Sequence, residues 1–181
     1  MIQRRVVPVV VACLFLLLLA PASVLGASSH RTVVMRDACD GPSFNAPPPA
    51  GIGPGTCARN GGVTLGKFVD QLHAMHRAPA WRFAPSQMKL ASGGTVTATN
   101  RGGEFHTFTE VANFGPGCVD FLNVAIGLPA GQLAPECAIP GIFGATGAGP
   151  GGTVTTDALG TATHKFQCLI HPWMRTTVNV G

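Results

Sequence analysis

From residue 81 onward, apolar and polar side chains exchange places at every second position, in short runs that glycine or proline interrupts. A period of two is the mark of strands with one face buried. Trp81-Arg82-Phe83 and Gln87-Met88-Lys89-Leu90 flank a Pro85-Ser86 turn. Gly93-Gly94 introduces Thr95-Val96-Thr97-Ala98-Thr99-Asn100, and Gly102-Gly103 separates that run from an extended stretch over 104–111. Alternation returns over 152–156, 161–168 and 175–180. In the second of these, Ala162, His164, Phe166 and Cys168 share one face, while Thr161, Thr163, Lys165 and Gln167 share the other. That places the first set in the core and Cys168 at the strand's end. At least six short strands parted by turn signals predict an all-β, antiparallel sandwich.

Before residue 81 the pattern differs. Leu65, Phe68, Leu72 and Met75 recur at spacings of three and four behind Thr64, which predicts a capped helix over 64–77. His73 and His76 fall on this helix and read as part of its polar face. Residues 27–63 carry Gly41-Pro42 and Pro47-Pro48-Pro49, breakers that predict an irregular segment. The division expected is therefore a 27–80 extension and an 81–181 domain. Within the latter, residues 112–152 form a long insertion with a short helix over 119–126 and a glycine-rich tract, 141–152, that reads as a mobile linker.

Composition agrees with strands and turns: 24 glycines, 15 prolines, no tyrosine and only 11% charged residues. The first 26 residues stand apart. Arg4 and Arg5 precede an almost wholly apolar run over 6–20, and Val24-Leu25-Gly26 offers small residues at a cleavage site. This is the pattern of a secretory signal peptide, which implies a periplasmic or secreted mature chain with no transmembrane anchor. An uncleaved anchor and lipidation at Cys13 are weaker readings, the latter because the apolar run continues past that cysteine. Without the leader, ten basic residues face eight acidic ones, and no basic cluster remains to bind nucleic acid or anionic membrane. Five cysteines also remain. In an oxidising compartment an odd count predicts two disulfides and one free thiol. Chain order favours Cys39–Cys57 and Cys118–Cys137, although four cysteines permit three pairings.

The free thiol then falls to Cys168, at the head of Cys168-Leu169-Ile170-His171-Pro172-Trp173-Met174. Thiolate, imidazole and thioether together favour copper, since a His2Cys set with a weak axial methionine is the blue-copper arrangement. A second histidine is required. Of His30, His73, His76, His106 and His164, His106 follows the Gly102-Gly103 break at the start of a rigid extended run, so it would preorganise the site.

These two segments, Gly160 to Met174 and Asn100 to Thr109, resemble the cupredoxins, the small blue-copper proteins that include plastocyanin, azurin and amicyanin. The resemblance covers residues 81–111 and 152–181 and implies a Greek-key sandwich. It also implies one copper ion held by His106, Cys168, His171 and Met174, with Met174 axial. The His171-to-Met174 spacing is similar to the short amicyanin loop. Ile170 stands where several family members have proline. Thr107 stands where many have an asparagine that ties the two ligand segments together. What the resemblance implies is one-electron transfer to a redox partner protein by a monomer that is not an enzyme. The alternative is a copper carrier using the same ligands. An oxidase fragment is disfavoured because the chain has no His-x-His pair for additional coppers.

Overall fold

Alternation builds the sheets where the sequence places it. In the computed structural model, which describes residues 28–181, Thr95–Asn100 and Arg175–Val180 bury every second side chain. The segment expected to be a signal peptide, with Cys13, lies outside the described residues. In chain order the elements are β1 (His30–Arg36), α1 (Gly41–Phe44), α2 (Leu65–Met75), β2 (Arg82–Ala84), β3 (Gln87–Leu90), β4 (Thr95–Asn100), β5 (His106–Thr107), β6 (Thr109–Val111) and α3 (Asp120–Ala125). A 3-10 turn (Pro135–Ala138), α4 (Ile142–Thr146), β7 (Gly147–Ala148), β8 (Thr153–Thr155), β9 (Thr163–Gln167) and β10 (Arg175–Val180) complete it.

Two four-stranded sheets, β2-β1-β4-β8 and β3-β10-β9-β6, form an all-β sandwich; β5 and β7 make a separate two-stranded ribbon. Val33, Met35, Val96 and Ala98 from the first sheet are buried, as are Leu90, Phe166 and Val178 from the second. Phe108 stacks on Phe166 at 4.4 Å between centroids and meets Phe83 edge-on at 5.4 Å, the two arrangements aromatic quadrupoles favour.

Most pairings are antiparallel, but β1 runs parallel to β4 and β3 parallel to β10. Parallel neighbours need long crossover connections, and this chain has them: β1 reaches β4 only after both N-terminal helices. The segment expected to be irregular thus contributes a strand to the first sheet. Its seven residues bury Val33 and Met35 alternately before the breakers begin. Beyond Arg36 the segment is held by the Cys39–Cys57 disulfide and by Asn45, whose side chain bonds both the N–H and the C=O of Cys57.

Helix α2 follows its predicted bounds closely. The Thr64 hydroxyl accepts from the Lys67 N–H at 3.3 Å, and His76 ends the helix in the left-handed conformation at φ 56°. Phe68 and Leu72 are its buried face. They pack with Phe44 and Trp81, the Phe68 and Trp81 rings lying 4.6 Å apart.

Two expectations are corrected. The tract 141–152 is no linker: it holds α4 and then β7, whose residues Gly147 and Ala148 pair with Thr107 and His106. A side chain at Gly147 would collide with the Phe105 ring and the Phe143 carbonyl, so glycine permits this close pairing. His164 does not enter the core. Its ring lies at the rim, 2.6 Å from a Glu110 oxygen and 2.8 Å from the Gly160 carbonyl. On the opposite face of β9, Gln167 is buried because the insertion folds over it: Gly115 N–H donates to its Oε1 and its Nε2 donates to the Pro116 carbonyl.

Candidate metal centre

Two segments meet at one end of the sandwich. The first begins at β4, whose last residue, Asn100, is fully buried and organises the following loop. Its amide donates to the Glu104 and Ala148 carbonyls and accepts from the Gly102 N–H. The loop then enters β5, and the β5–β7 ribbon fixes the backbone of His106. The second segment is the turn after β9. Cys168 N–H donates to the Met174 carbonyl at 3.1 Å and Met174 N–H to the His171 carbonyl at 2.9 Å, which closes Cys168 to Met174 into a tight loop.

Thr107 joins the two segments. Its hydroxyl accepts from the Leu169 N–H at 2.8 Å, and its own N–H points at the Cys168 sulfur from 3.4 Å. This is a link of the kind that the resemblance implies for the residue after the first histidine, made here by a threonine. The His171 N–H also approaches the same sulfur, at 3.5 Å.

The result is a buried cluster of His106, Cys168 and His171, whose donor atoms lie within 4.8 Å of one another. The Cys168 sulfur is 4.0 Å from Nδ1 of His106 and 3.8 Å from Nδ1 of His171. It is the free cysteine, since Cys39–Cys57 and Cys118–Cys137 pair as chain order suggests. Met174 is fully buried at the end of the same loop. Among the described residues no other group of three such side chains converges. His73 and His76 do not: the His76 ring bonds the Ile126 carbonyl at 2.7 Å.

The donor chemistry suits a soft or borderline metal ion. One cysteine sulfur and two imidazole Nδ1 atoms converge in a buried cluster, the ligand types that copper and zinc take. The remote Nε2 of His106 is held by a hydrogen bond, which turns that ring's Nδ1 toward the cluster. His106 Nε2–H donates to Asp37 Oδ2 at 2.8 Å, and His171 Nε2 lies 3.6 Å from Glu104 Oε2. Asp37 also accepts from the Cys39, Gly103 and Glu104 N–H groups. Its approach needs Gly102, where a Cβ would strike the Asp37 carboxylate. Glu104 accepts from the Trp81 indole N–H.

Ionisation follows from these contacts. Burial opposes the charged form of Cys168, yet the two imidazoles hold its thiol well below the usual range, which favours the thiolate. Burial likewise opposes protonation of His106, but its hydrogen bonds to Asp37 and Cys168 raise it to about 9 in the metal-free site. Asp37 moves oppositely: despite burial, His106 and the backbone N–H donors lower it to about 2. Burial dominates at Glu104 and raises it, against the pull of His171 and Trp81.

Helix α2 roofs the centre. Phe68 meets the His171 ring edge-on at 6.4 Å, and Trp173 lies 5.4 Å from the same ring. His171 is therefore only 3% exposed. Asp37, Glu104 and Phe68 were not singled out for the site by sequence. The available signal was Asp37, a lone acid placed directly after an alternating run.

No protein-family profile and no curated protein matches the chain. Solved structures it is similar to include cupredoxins. A purple cupredoxin from Nitrosopumilus maritimus is 12% identical, with 83% of this chain and 99% of that one covered at a TM-score of 0.42. Amicyanin from Paracoccus versutus is 15% identical, with 55% and 73% covered at a TM-score of 0.35. At such scores these overlaps add nothing to the sandwich and the donor cluster, which stand on this chain's own strands and side chains.

Proposed function

We propose that this chain is an exported cupredoxin-type protein that carries single electrons at one copper ion held by His106, Cys168, His171 and Met174. The observation that carries the reading is the convergence of a free, buried thiolate with two imidazole Nδ1 atoms within 4.8 Å. Met174, buried on the same closed loop, supplies the fourth and weaker donor that distinguishes a copper site from a zinc site. Two disulfides support export. Among the described residues no helix is long and apolar enough to cross a membrane.

The loop is also suited to electron transfer. The Cys168 and Met174 N–H groups close the loop on itself, and the Thr107 and His171 N–H groups face the Cys168 sulfur, so the backbone holds the donors in one frame. A rigid donor set keeps the reorganisation cost of each step low.

Copper loading followed by visible spectroscopy and redox cycling tests the reading. The expected result is one copper per chain and an intense thiolate-to-copper absorption that bleaches on reduction and returns on oxidation. A site that holds Cu(I) and has no stable oxidised form would instead make the protein a copper carrier.

A further inference from the structure

Arginines that lie far apart in the chain meet beside the ligand loop. Arg77, just past α2, Arg82 on β2 and Arg175 on β10 line one cavity of about 360 Å3, together with Trp81, Phe83 and Trp173. The strand register carries the charge past the cavity. Arg36 sits directly opposite Arg82 in the β1–β2 ladder, at the edge of the first sheet, and both are exposed. Every ion pair among the described residues is made by a histidine, so none of these four arginines has an acidic partner. Guanidinium groups stay charged in proteins, so the patch is positive at any working pH.

Like charges held opposite one another weaken a sheet, so the fold gains nothing by setting Arg36 against Arg82. An anionic partner removes that cost and accepts the forked, charge-assisted hydrogen bonds that guanidinium gives carboxylates. Arg175 is already fixed, its Nε donating to the Pro172 carbonyl at 2.6 Å and its Nη2 to the Gly115 carbonyl at 3.1 Å. Arg82 has only long contacts, 3.4 Å and 3.5 Å, to the Pro79 and Ala80 carbonyls. Charge that runs from the cavity over a sheet edge is wider than one small anion needs, and it suits a surface of several carboxylate side chains. The patch also adjoins the metal centre. Trp173 is partly exposed and lines the cavity, and its ring lies 5.4 Å from that of His171.

We propose that Arg36, Arg77, Arg82 and Arg175 form the docking surface for an acidic redox protein, with Trp173 beneath the contact. The inference rests on the electron-carrier reading for the partner's being a redox protein, and on the arginine cluster alone for its charge. A patch of this kind steers an oppositely charged protein to the surface and loses its effect as salt screens it.

The probe is cytochrome c with its lysines succinylated, an acidic haem protein, compared with the unmodified basic form. Binding to the metal-free chain is read from quenching of tryptophan emission by the haem. The acidic form is expected to bind at about 0.01 M ionic strength, where charges act over about 30 Å, and to dissociate at physiological salt. The basic form is expected not to bind. Arg77→Glu with Arg82→Glu should weaken binding of the acidic form by about tenfold or more. Arg31→Glu with Lys89→Glu makes the same change in net charge toward the other end of β1, where Arg31 Nε donates to the Lys89 carbonyl, and should have a much smaller effect. All four side chains are exposed, so these substitutions leave the core intact. Equal losses for the two pairs would overturn the proposal, because net charge alone would then account for binding. A parent chain that prefers vesicles of equal parts phosphatidylcholine and phosphatidylglycerol would also overturn it, in favour of a membrane surface. In the copper-loaded chain, electron exchange with the acidic form should slow in the Arg77 and Arg82 variant in step with binding; binding without exchange in the loaded parent would overturn the redox contact at this face. The binding measurements need no metal, so failure to take up copper would overturn the electron-carrier reading and leave the charge of the docking surface standing.

Discussion

Asp37 gathers more of the site than any residue that touches the thiolate. Its carboxylate accepts from His106 and from three backbone N–H groups, and so joins the end of β1 to the loop that delivers the first histidine. Its folded pKa is about 2 against an ordinary 3.8, so the folded chain binds that proton less tightly than the unfolded chain. The stability this confers, about 2 kcal/mol, is complete above pH 4 or so and is lost as pH falls toward 2. Unfolding free energies from urea titration of the metal-free protein and of Asp37→Asn should therefore converge by roughly that amount between pH 5 and pH 2. A gap independent of pH over this range would mean that Asp37 stabilises by shape alone. At the same scale, Cys168→Ser should abolish the copper absorption and His73→Ala should leave it intact. Loss of colour in the helix variant would overturn the ligand assignment.

The element that most alters the picture is α2. Its amphipathic spacing and its Thr64 cap are plain in the sequence, but nothing in a helical period says what the apolar face will cover. That face roofs His171 through Phe68, which also packs on Phe44 and Trp81. Phe68→Ala should cost about 3–5 kcal/mol, as large-to-small changes at buried aromatics do, and should admit water to His171. Denaturation checks the first; a solvent-exchange signal at the bound metal checks the second. The strands show the same division between local and distant information. Thr95–Asn100 and Arg175–Val180 were legible to the residue, because alternation is local and a half-buried strand must display it. So were His106, Cys168 and His171 as a set, because the ligand loop is contiguous and the first histidine follows a glycine break. β1 was hidden by the glycines and prolines that follow it. β7 was hidden because Gly147 and Ala148 have no side-chain pattern to read, and only their pairing with β5 makes them a strand. Asp37 and Glu104 escaped for a related reason: which carboxylate faces which imidazole is decided by packing across 69 and 67 positions.

Over the whole molecule, the two disulfides brace the two halves of the centre. Cys39–Cys57 underlies the first-histidine loop: Ala58 N–H donates to the Gly103 carbonyl at 2.8 Å, and a side chain at Gly103 would collide with the Cys39 sulfur. Cys118–Cys137 braces the ligand loop from the insertion, where Cys118 N–H donates to the Leu169 carbonyl and Leu169 packs with Val111 and Ala134. The insertion is thus a second wall of the site, and it meets the extension that supplies Asp37 and α2 where the His76 ring bonds the Ile126 carbonyl. The sequence separations are 18 and 19, so the chain-entropy account gives the bridges nearly equal worth, about 3 kcal/mol each. Neither pair touches the donor atoms directly, which makes their removal a clean probe of how far the frame enforces the site. Replacing either pair with serine should lower stability by about that amount and also speed the transfer of copper to an external chelator, because each bridge holds one of the two segments that must stay together. Stopped-flow transfer rates, measured well below each variant's own unfolding midpoint, separate the two effects. A destabilised variant that releases copper at the parent rate would show that the ribbon, Thr107 and the loop's own hydrogen bonds suffice to hold the donors in place.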